Sequence, residues 1–256
     1  MNRWRGLIAL GALSASCGTA QNYLDPGAPF YEGHRGDASA EPAAPPSDAP
    51  LRGADVLALQ EMDAPGTERL AGELGMNYIY FPGGVHPSSG RDFGCAILSP
   101  WPIRNPRKII LPGHSKATGL RRAAVVGTIQ RGSQAVRVYA VHLPAPHGMS
   151  GANRHDQAQA LIADAAGSTD PVIVVGDFNS HGIGKDFVAA GFTWPTKDLK
   201  GTERMMGLSF SYDHVFAKAL AAVPGLPAAG VVRENRGASD HHPVWVLLTT
   251  PGKGMP

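Results

Sequence analysis

A carboxylate and a carboxamide close the most apolar run of the sequence. Asp177 and Asn179 follow residues 172–175, which read Val-Ile-Val-Val, and one Gly. Side chains alternate across an extended strand, so we expect Asp177 and Asn179 to share a face while Phe178 turns back to the core. Both side chains offer oxygen atoms that can hold a hard cation and orient a phosphate or a water. The pair predicts a ligand site at a strand end, and the alternative is an ordinary Asp-x-Asn turn.

Four further apolar runs carry polar residues at one end: Glu61, His142, Asp213-His214 and Ser239-Asp240-His241-His242. Taken alone, Glu61 fits a solvated cap as well as a metal ligand, and His142 fits a buried structural histidine. Asp240 and His241 are adjacent, so they can serve one site only from a bent loop. Together, these residues suit a metal that neutralises phosphoryl charge and an imidazole, held by a carboxylate, that manages a proton.

Strands and helices intermix in the elements that must position these residues. Apolar runs bounded by Gly and Pro predict strands at 54–60, 76–81, 94–99, 108–111, 123–130, 135–141, 172–176, 211–216, 230–233 and 244–249. Helical spacing of apolar residues predicts helices at 66–75, 152–166 and 184–190. Many strands with few helices in long connections indicate two packed sheets flanked by helices.

The five motifs, in their order, resemble those of the endonuclease/exonuclease/phosphatase superfamily. The matching elements are Leu59-Gln60-Glu61, Val141-His142-Leu143, Gly176-Asp177-Phe178-Asn179, Tyr212-Asp213-His214 and Ser239-Asp240-His241-His242-Pro243. The resemblance covers residues 51–249. It implies the fold of deoxyribonuclease I, an α/β four-layered sandwich of two mixed β-sheets flanked by helices. It also implies an enzyme, a Mg²⁺-dependent phosphoric ester hydrolase, with Mn²⁺ as a possible substitute.

The resemblance also implies a role for each motif residue. Glu61 would be the principal Mg²⁺ ligand and Asp240 a second carboxylate near the metal. His241, oriented by Asp213, would act on the nucleophilic water or the phosphate, and His142 on the leaving group. Asp177 and Asn179 would position water and a phosphoryl oxygen. The supporting residues would be Asp92, as a carboxylate that pairs with His142, together with Tyr212 and Ser239.

One element of the family pattern is missing from its expected place. The family begins with a central strand that ends in an Asn, which helps bind metal or phosphate, but residues 36–50 here are rich in Pro and Ala. Asn22 lies too close to the N-terminus to replace that Asn. We therefore expect a sheet without the family's first strand. A catalytically impaired member that acts as a binding module stays open as the alternative.

The N-terminus has the layout of an export signal. Arg3 and Arg5 precede an apolar run at 7–13, and Ser14-Ala15-Ser16-Cys17 is similar to a bacterial lipoprotein processing site. We expect a signal peptide at 1–16, a lipidated Cys17, a linker to residue 50, a catalytic domain at 51–250 and a tail at 251–256. The protein would be anchored to the outer or inner membrane, or otherwise be periplasmic or secreted.

Charge and cysteine content narrow the possible partners. Removing residues 1–16 takes away two Arg, so the balance of charges falls from 23 − 21 = +2 to 21 − 21 = 0, which excludes a general polyanion binder. The two cysteines build no disulfide framework. We expect a monomer that acts on a phosphate ester, whether nucleic acid, phospholipid or sugar phosphate. The basic pair Arg121-Arg122 is expected to be solvated charge at a strand end.

Overall fold

Two β-sheets stacked face to face form the centre of the protein. The computed structural model describes residues 3–9, 21–34, 53–87, 89–205, 207–234 and 238–250. Within these residues the first sheet has the strand order β13-β15-β1-β3-β5-β4-β2, with β14 also paired to β15. Its strands are β1 (Arg3–Ala9), β2 (Tyr31–Gly33), β3 (Val56–Met62), β4 (Asn77–Val85), β5 (Asp92–Ser99), β13 (Ala221–Ala222), β14 (Ala229–Val231) and β15 (Val244–Thr249).

The second sheet has five strands in the order β12-β9-β8-β7-β6. They are β6 (Ile103–Ile110), β7 (Ala123–Arg131), β8 (Gln134–His142), β9 (Val172–Asp177) and β12 (Asp213–Lys218). A separate hairpin, β10 (Glu203–Met205) and β11 (Leu208–Phe210), lies between β9 and β12 in the chain. Each main sheet contains one parallel pair, β1 with β3 and β8 with β9, so both sheets are mixed.

Three helices in the described residues cover the outer faces of the sheets. α1 (Ala64–Leu74) packs on the first sheet, while α2 (Gly151–Ala166) and α3 (Gly184–Ala189) pack on the second. The Asp63 carboxylate caps α1 by accepting a hydrogen bond from the Gly66 N–H at 2.7 Å, and Gly75 ends the helix in the left-handed conformation, φ 68°. The four layers confirm the expected α/β sandwich of two mixed sheets flanked by helices.

The core follows from the alternation of side chains along the strands. On β3, Val56 and Ala58 face the second sheet, while Leu57 and Leu59 face α1. The space between the sheets is filled by aliphatic residues that are at most 5% exposed, among them Ile97, Val138 and Val215. This dry, close-packed interior fixes the strand ends on which the polar residues lie.

The strand register brings three motif residues into one row. β8 and β9 run parallel and place His142 opposite Asp177, and β12 runs antiparallel to β9 and places Asp213 opposite Asp177. Neighbouring strands lie about 4.8 Å apart, so the three side chains meet at one edge of the sheet. Residues far apart in sequence become neighbours through backbone pairing alone.

The expectation that the first sheet lacks a central first strand is wrong for this structure. β1 lies between β15 and β3, antiparallel to the former and parallel to the latter. It is formed by residues that we had assigned to an export signal from the sequence, because a short apolar run also suits a central strand of a sheet. The Asn remains missing, since residues 9–20 contain none.

Other expectations about the chain ends fall outside the described residues. These are Cys17, the Pro- and Ala-rich segment at 36–50 and the tail at 251–256. Elsewhere the expected elements are present with ends that shift by a few residues, most at β6, which begins at Ile103 rather than at 108. In the described part of the chain, no helix combines the length and the apolar character needed to span a bilayer.

Candidate active site

An open cleft of about 770 Å³ lies at the edge of the sandwich where the motif residues meet. Six residues expected to form the site line it: Glu61, His142, Asp177, Asn179, Asp240 and His241. Asp213 is fully buried behind His241. The structure therefore brings the members of all five motifs to one place.

Asp213 and His241 form a buried pair. The Nδ1 atom of His241 donates to both carboxylate oxygens of Asp213, at 3.0 and 3.2 Å. Burial alone would lower the pKa of His241, but the hydrogen bond and charge of Asp213, with Asp177 and Glu203, raise it to about 10. His241 is thus an oriented imidazolium at neutral pH, and its Nε2 atom is turned away from Asp213.

A turn, rather than continued extension, places Asn179 beside Asp177. β9 ends at Asp177, and Asn179 is left-handed with φ 50°, so the expectation of an extended Asp-Phe-Asn segment is wrong. Asp177 Oδ1 accepts the Asn179 N–H at 2.8 Å, which closes an Asx-type turn. Phe178 is buried in the core beneath α3, as expected.

The hydrogen bonds of Asn179 fix the orientation of its amide. Nδ2 donates to the Leu143 carbonyl at 2.9 Å and to Asp177 Oδ2 at 2.8 Å. Both partners are acceptors, so both N–H bonds are used and only Oδ1 is available to a ligand. Burial and then the neighbouring Asp213 raise the pKa of Asp177 well above its usual range.

Glu61 and His142 lie beside Asp177 in the site. A bulge in β3 gives Glu61 a left-handed backbone, φ 58°, and its side chain is 7% exposed. His142 lies 3.9 Å from Glu61 through Nδ1 and 3.3 Å from Asp177 through Nε2. Burial, then the charges of Arg122 and His241, hold the pKa of His142 well below its usual value, so this imidazole is neutral.

Arg122 is a site residue that the sequence reasoning missed. Its guanidinium lies 4.8 Å from the centre of the Phe93 ring, and one terminal nitrogen is 3.5 Å from His142 Nδ1. Its Nε atom is buried and has no hydrogen-bond partner. Arg122 is therefore a half-buried cation that lines the cleft rather than fully solvated charge. Its position directly before the apolar strand β7 was the available signal.

Glu203 is a second missed residue. It is 5% exposed, lines the cleft, and its Oε1 atom lies 3.8 Å from His241 Nε2. A β-bridge between Glu203 and His241 holds the two segments together. Burial raises the pKa of Glu203. In the sequence it stands in a polar stretch, Lys-Gly-Thr-Glu-Arg, which gave no signal of burial.

The carboxylates of the cleft fit a hard divalent cation. One oxygen each of Glu61 and Glu203 is buried without a hydrogen-bond partner, and burial raises the pKa of Glu61 to about 7 although Arg122 and His241 lower it. Among the described residues, no three His, Cys, Asp or Glu side chains come together closely enough to hold a metal ion. Mg²⁺ commonly uses one or two carboxylates and completes its shell with water and substrate phosphate, so this donor set fits it.

The supporting residues play different parts from those expected. Asp92 accepts hydrogen bonds from Tyr23 at 2.9 Å and Tyr31 at 3.5 Å, so its expected pairing with His142 is wrong. The cause is the segment 21–34, which packs beside Asp92. Ser239 accepts the His241 N–H at 3.0 Å and donates to Asp240 at 3.4 Å. The Tyr212 carbonyl accepts the Phe178 N–H at 2.9 Å.

Comparison with known proteins agrees with this fold. Residues 36–241 match the family model of the endonuclease/exonuclease/phosphatase family. A protein of that name from Beutenbergia cavernae aligns with a TM-score of 0.62 at 19% identity, covering 98% of this chain and 72% of that chain. No curated protein sequence matched.

Two further solved structures share the fold. The human nocturnin catalytic domain, solved with a bound sulfate anion, aligns with a TM-score of 0.57 at 21% identity, covering 77% of this chain and 82% of that one. A D. rerio TDP2 humanized by 14 mutations aligns with a TM-score of 0.59 at 17% identity, covering 77% and 86%. With the family match spanning most of the sequence, the chain belongs to the endonuclease/exonuclease/phosphatase family.

Proposed function

We propose that the protein hydrolyses phosphate mono- or diesters with water and a bound divalent cation, Mg²⁺ or Mn²⁺. The observation that carries this proposal is the charge pattern of the cleft. Two cations, Arg122 and His241, face the same cleft as two carboxylates with unpartnered oxygens, Glu61 and Glu203. A phosphate ester together with a divalent cation supplies the opposite charge to each group. The sulfate bound to the related nocturnin domain, an anion of similar shape and charge, supports this reading.

Glu61 and Asp240 are the residues that we assign to the cation. When bound, the cation neutralises negative charge that develops on the phosphoryl oxygens. Glu61 is held for this role by the β3 bulge, and Asp240 by the Ser239 hydroxyl and by its own carbonyl, which accepts the Arg204 N–H at 2.9 Å. Both groups line the cleft, as does His241.

His241 binds the phosphoryl group as a cation. Asp213 accepts the hydrogen bond of the Nδ1 N–H, and we assign the second N–H of the imidazolium, on Nε2, to a phosphoryl oxygen. Because Asp213 is fully buried and the imidazolium is fixed in direction, this charge needs little reorganisation during the reaction. His241 is therefore suited to stabilise the transition state electrostatically.

Asp177 and Asn179 are suited to handle the attacking water. Asn179 can only accept a hydrogen bond from a ligand, which orients a water and not a phosphoryl oxygen. Asp177 has a raised pKa and is a stronger base than an ordinary carboxylate. In this scheme the water oxygen bonds to phosphorus, its proton passes to Asp177, and the bond from phosphorus to the leaving oxygen breaks.

Arg122 and His142 form the remaining side of the cleft. Neutral His142 directs Nε2 at Asp177, 3.3 Å away, and receives the Arg122 guanidinium at Nδ1. This arrangement orients the base and leaves the Arg122 charge to bind a phosphoryl oxygen. We assign His142 to hydrogen bonding beside the leaving group rather than to carrying a full positive charge.

A binding module is the second candidate function, because no Asn follows β1 in residues 9–20. Such a protein would bind a phosphate ester in the same cleft without turning it over. The substrate class, whether nucleic acid, phospholipid or sugar phosphate, is part of the same test.

We further propose export and lipidation at Cys17, supported by the basic start and apolar run of residues 3–13.

The test is a screen of purified protein against p-nitrophenyl phosphate, bis-p-nitrophenyl phosphate, DNA and phospholipid vesicles. Each substrate is assayed with Mg²⁺, with Mn²⁺ and with EDTA. We expect turnover of at least one substrate, abolished by EDTA and by His241→Ala, and unchanged in the surface control Arg69→Ala. Full turnover in EDTA, or an active His241→Ala variant, contradicts the proposal. Phosphate binding without turnover favours the binding module.

A further inference from the structure

The segment 21–34, called here the N-terminal strap, forms part of the body of the protein. Its backbone adds to the edge of the first sheet: the Tyr23 N–H donates to the Gly83 carbonyl at 3.0 Å, and the Val85 N–H donates to the Gln21 carbonyl at 2.8 Å. Asn22 lies between them and bridges to Gly84. A Cβ atom at position 84 would overlap the Gln21 carbonyl, so this glycine permits the contact.

Buried charge and aromatic packing hold the strap in place. The Lys108 ammonium, on a residue that is 3% exposed, donates to the carbonyls of Tyr23 at 3.1 Å, Ala28 at 2.6 Å and Pro82 at 3.3 Å. Phe30 stacks on Phe81 with 4.5 Å between ring centres. Lys108 thus donates hydrogen bonds to carbonyls of the strap and of β4. Separating the two segments would leave a buried ammonium and buried carbonyls without partners, which costs free energy.

The Asn22 side chain extends from the strap to the loop before β7. Its Oδ1 atom accepts the Arg121 N–H at 2.6 Å, and its Nδ2 atom donates to the Gly119 carbonyl at 3.1 Å. These two bonds fix the backbone on either side of Leu120. One asparagine thus holds the last turn of a loop through both its acceptor and its donor.

This loop forms one side of the catalytic cleft. Ser115, Thr118, Leu120 and Arg122 all line the cleft. The peptide that Asn22 binds, at Arg121, directly precedes Arg122, whose guanidinium lies between the Phe93 ring and His142. Tyr23 of the strap also hydrogen-bonds Asp92, which precedes Phe93 in the chain.

We propose that Asn22 is a positioning residue that fixes Arg122 for binding of the phosphoryl group. The inference rests on the proposed function for the identity of the anion. Loss of the two Asn22 bonds frees the peptide before Arg122 and lets the guanidinium leave its place over Phe93. Every side-chain conformer of Arg122 that points away from the cleft lowers the affinity for phosphate. Glu61, Asp177 and His241 lie on other elements and keep their positions.

The test measures inorganic phosphate binding by calorimetry, KM and kcat on the best substrate, and the melting temperature. The variants are Asn22→Ala, Arg122→Lys and their double mutant, with Asp25→Ala as the matched control. Asp25 lies on the same strap, and its side chain accepts a local hydrogen bond from the Gly27 N–H at 2.7 Å. We expect Asn22→Ala to weaken phosphate binding and raise KM by about five- to twentyfold, the scale of one or two lost hydrogen bonds.

The double mutant should bind phosphate little worse than Arg122→Lys alone, because both changes act through one guanidinium. If Asn22→Ala lowers the melting temperature but leaves phosphate affinity and KM at the wild-type values, or if the two changes multiply, the inference is overturned. Asn22→Asp keeps the acceptor for the Arg121 N–H and replaces the alanine variant if that variant does not fold. We expect its loss of phosphate affinity to lie between those of wild type and Asn22→Ala. Absence of turnover in every form, with the expected binding pattern, refutes the proposed reaction and upholds the role of Asn22.

Discussion

Replacing Glu61 by Gln should stabilise the metal-free protein at alkaline pH. Burial raises the pKa of Glu61 from 4.5 to about 7, against the lowering effects of Arg122 and His241. A carboxyl whose pKa is higher in the folded state contributes stability below pH 4.5, and this contribution is lost as pH rises through about 7. The interval from 4.5 to about 7 corresponds to about 3 kcal/mol, at about 1.4 kcal/mol per pH unit.

The assay is urea unfolding in EDTA across this pH range. The Gln variant should gain stability relative to wild type as pH rises, approaching but not reaching about 3 kcal/mol, because its amide inherits the unpartnered position of Oε2. In excess Mg²⁺ the wild type should be the more stable of the two proteins, since only the wild type has the carboxylate that binds the cation. Glu68→Gln, at an exposed carboxylate on α1, is the control.

Two results would refute this reasoning. A pH-independent difference between wild type and Glu61→Gln would show that Glu61 is not ionised at a cost in the folded protein. An equal gain of stability in Mg²⁺ for both forms would show that the cation binds elsewhere. The first result refutes the claim that burial raises the pKa of Glu61, and the second refutes the assignment of Glu61 as a metal ligand.

Three further predictions concern catalysis, folding and export. His241→Ala should lower kcat by about 10²–10⁴-fold, Asp213→Asn by much of that, and the double mutant by little more, measured alongside melting temperatures; multiplicative losses contradict the pairing. Gly176→Ala should lower the unfolding free energy by at least about 3 kcal/mol in urea titration, because its Cβ would overlap the Val141 carbonyl; wild-type stability contradicts the register of β8 and β9. Cys17→Ser should move the protein from the membrane fraction to the soluble fraction, and a mature mass that includes Met1 would contradict lipidation.

The sequence was sufficient to locate the strand ends but not to pair them. Apolar runs bounded by turn residues predicted β8, β9 and β15 closely, most simply for β9, which is buried on both faces and so needs such a run. The row formed by His142, Asp177 and Asp213 depends on which strands pair and in which register, and that is decided by packing of distant segments.

Arg122 and Glu203 show where sequence reasoning about the site stopped. Glu203 stands in a polar stretch and Arg122 just before an apolar strand, and most charged residues at such positions are solvated. Their burial results from contacts with residues distant in the chain: Phe93 and His142 around Arg122, and His241 beside Glu203. The misassignment of Asp92 has the same origin, because its partner Tyr23 lies 69 residues away.

The position of β1 affects the geometry of any chain that is cut ahead of Cys17. β1 is antiparallel to β15 and parallel to β3, so β15 and β3 run antiparallel to one another. Removing β1 opens a slot about 10 Å wide, twice the usual spacing of strands, between two edges that are able to pair directly. Closing the slot would shift β15, together with β13 and β14, by one strand spacing toward β3. The loop that carries Asp240 and His241 leads directly into β15, so it would be pulled toward Glu61 against the contacts that hold His241 to Glu203 and Asp213. Cut and uncut chains would then differ in the width of the cleft as well as in length.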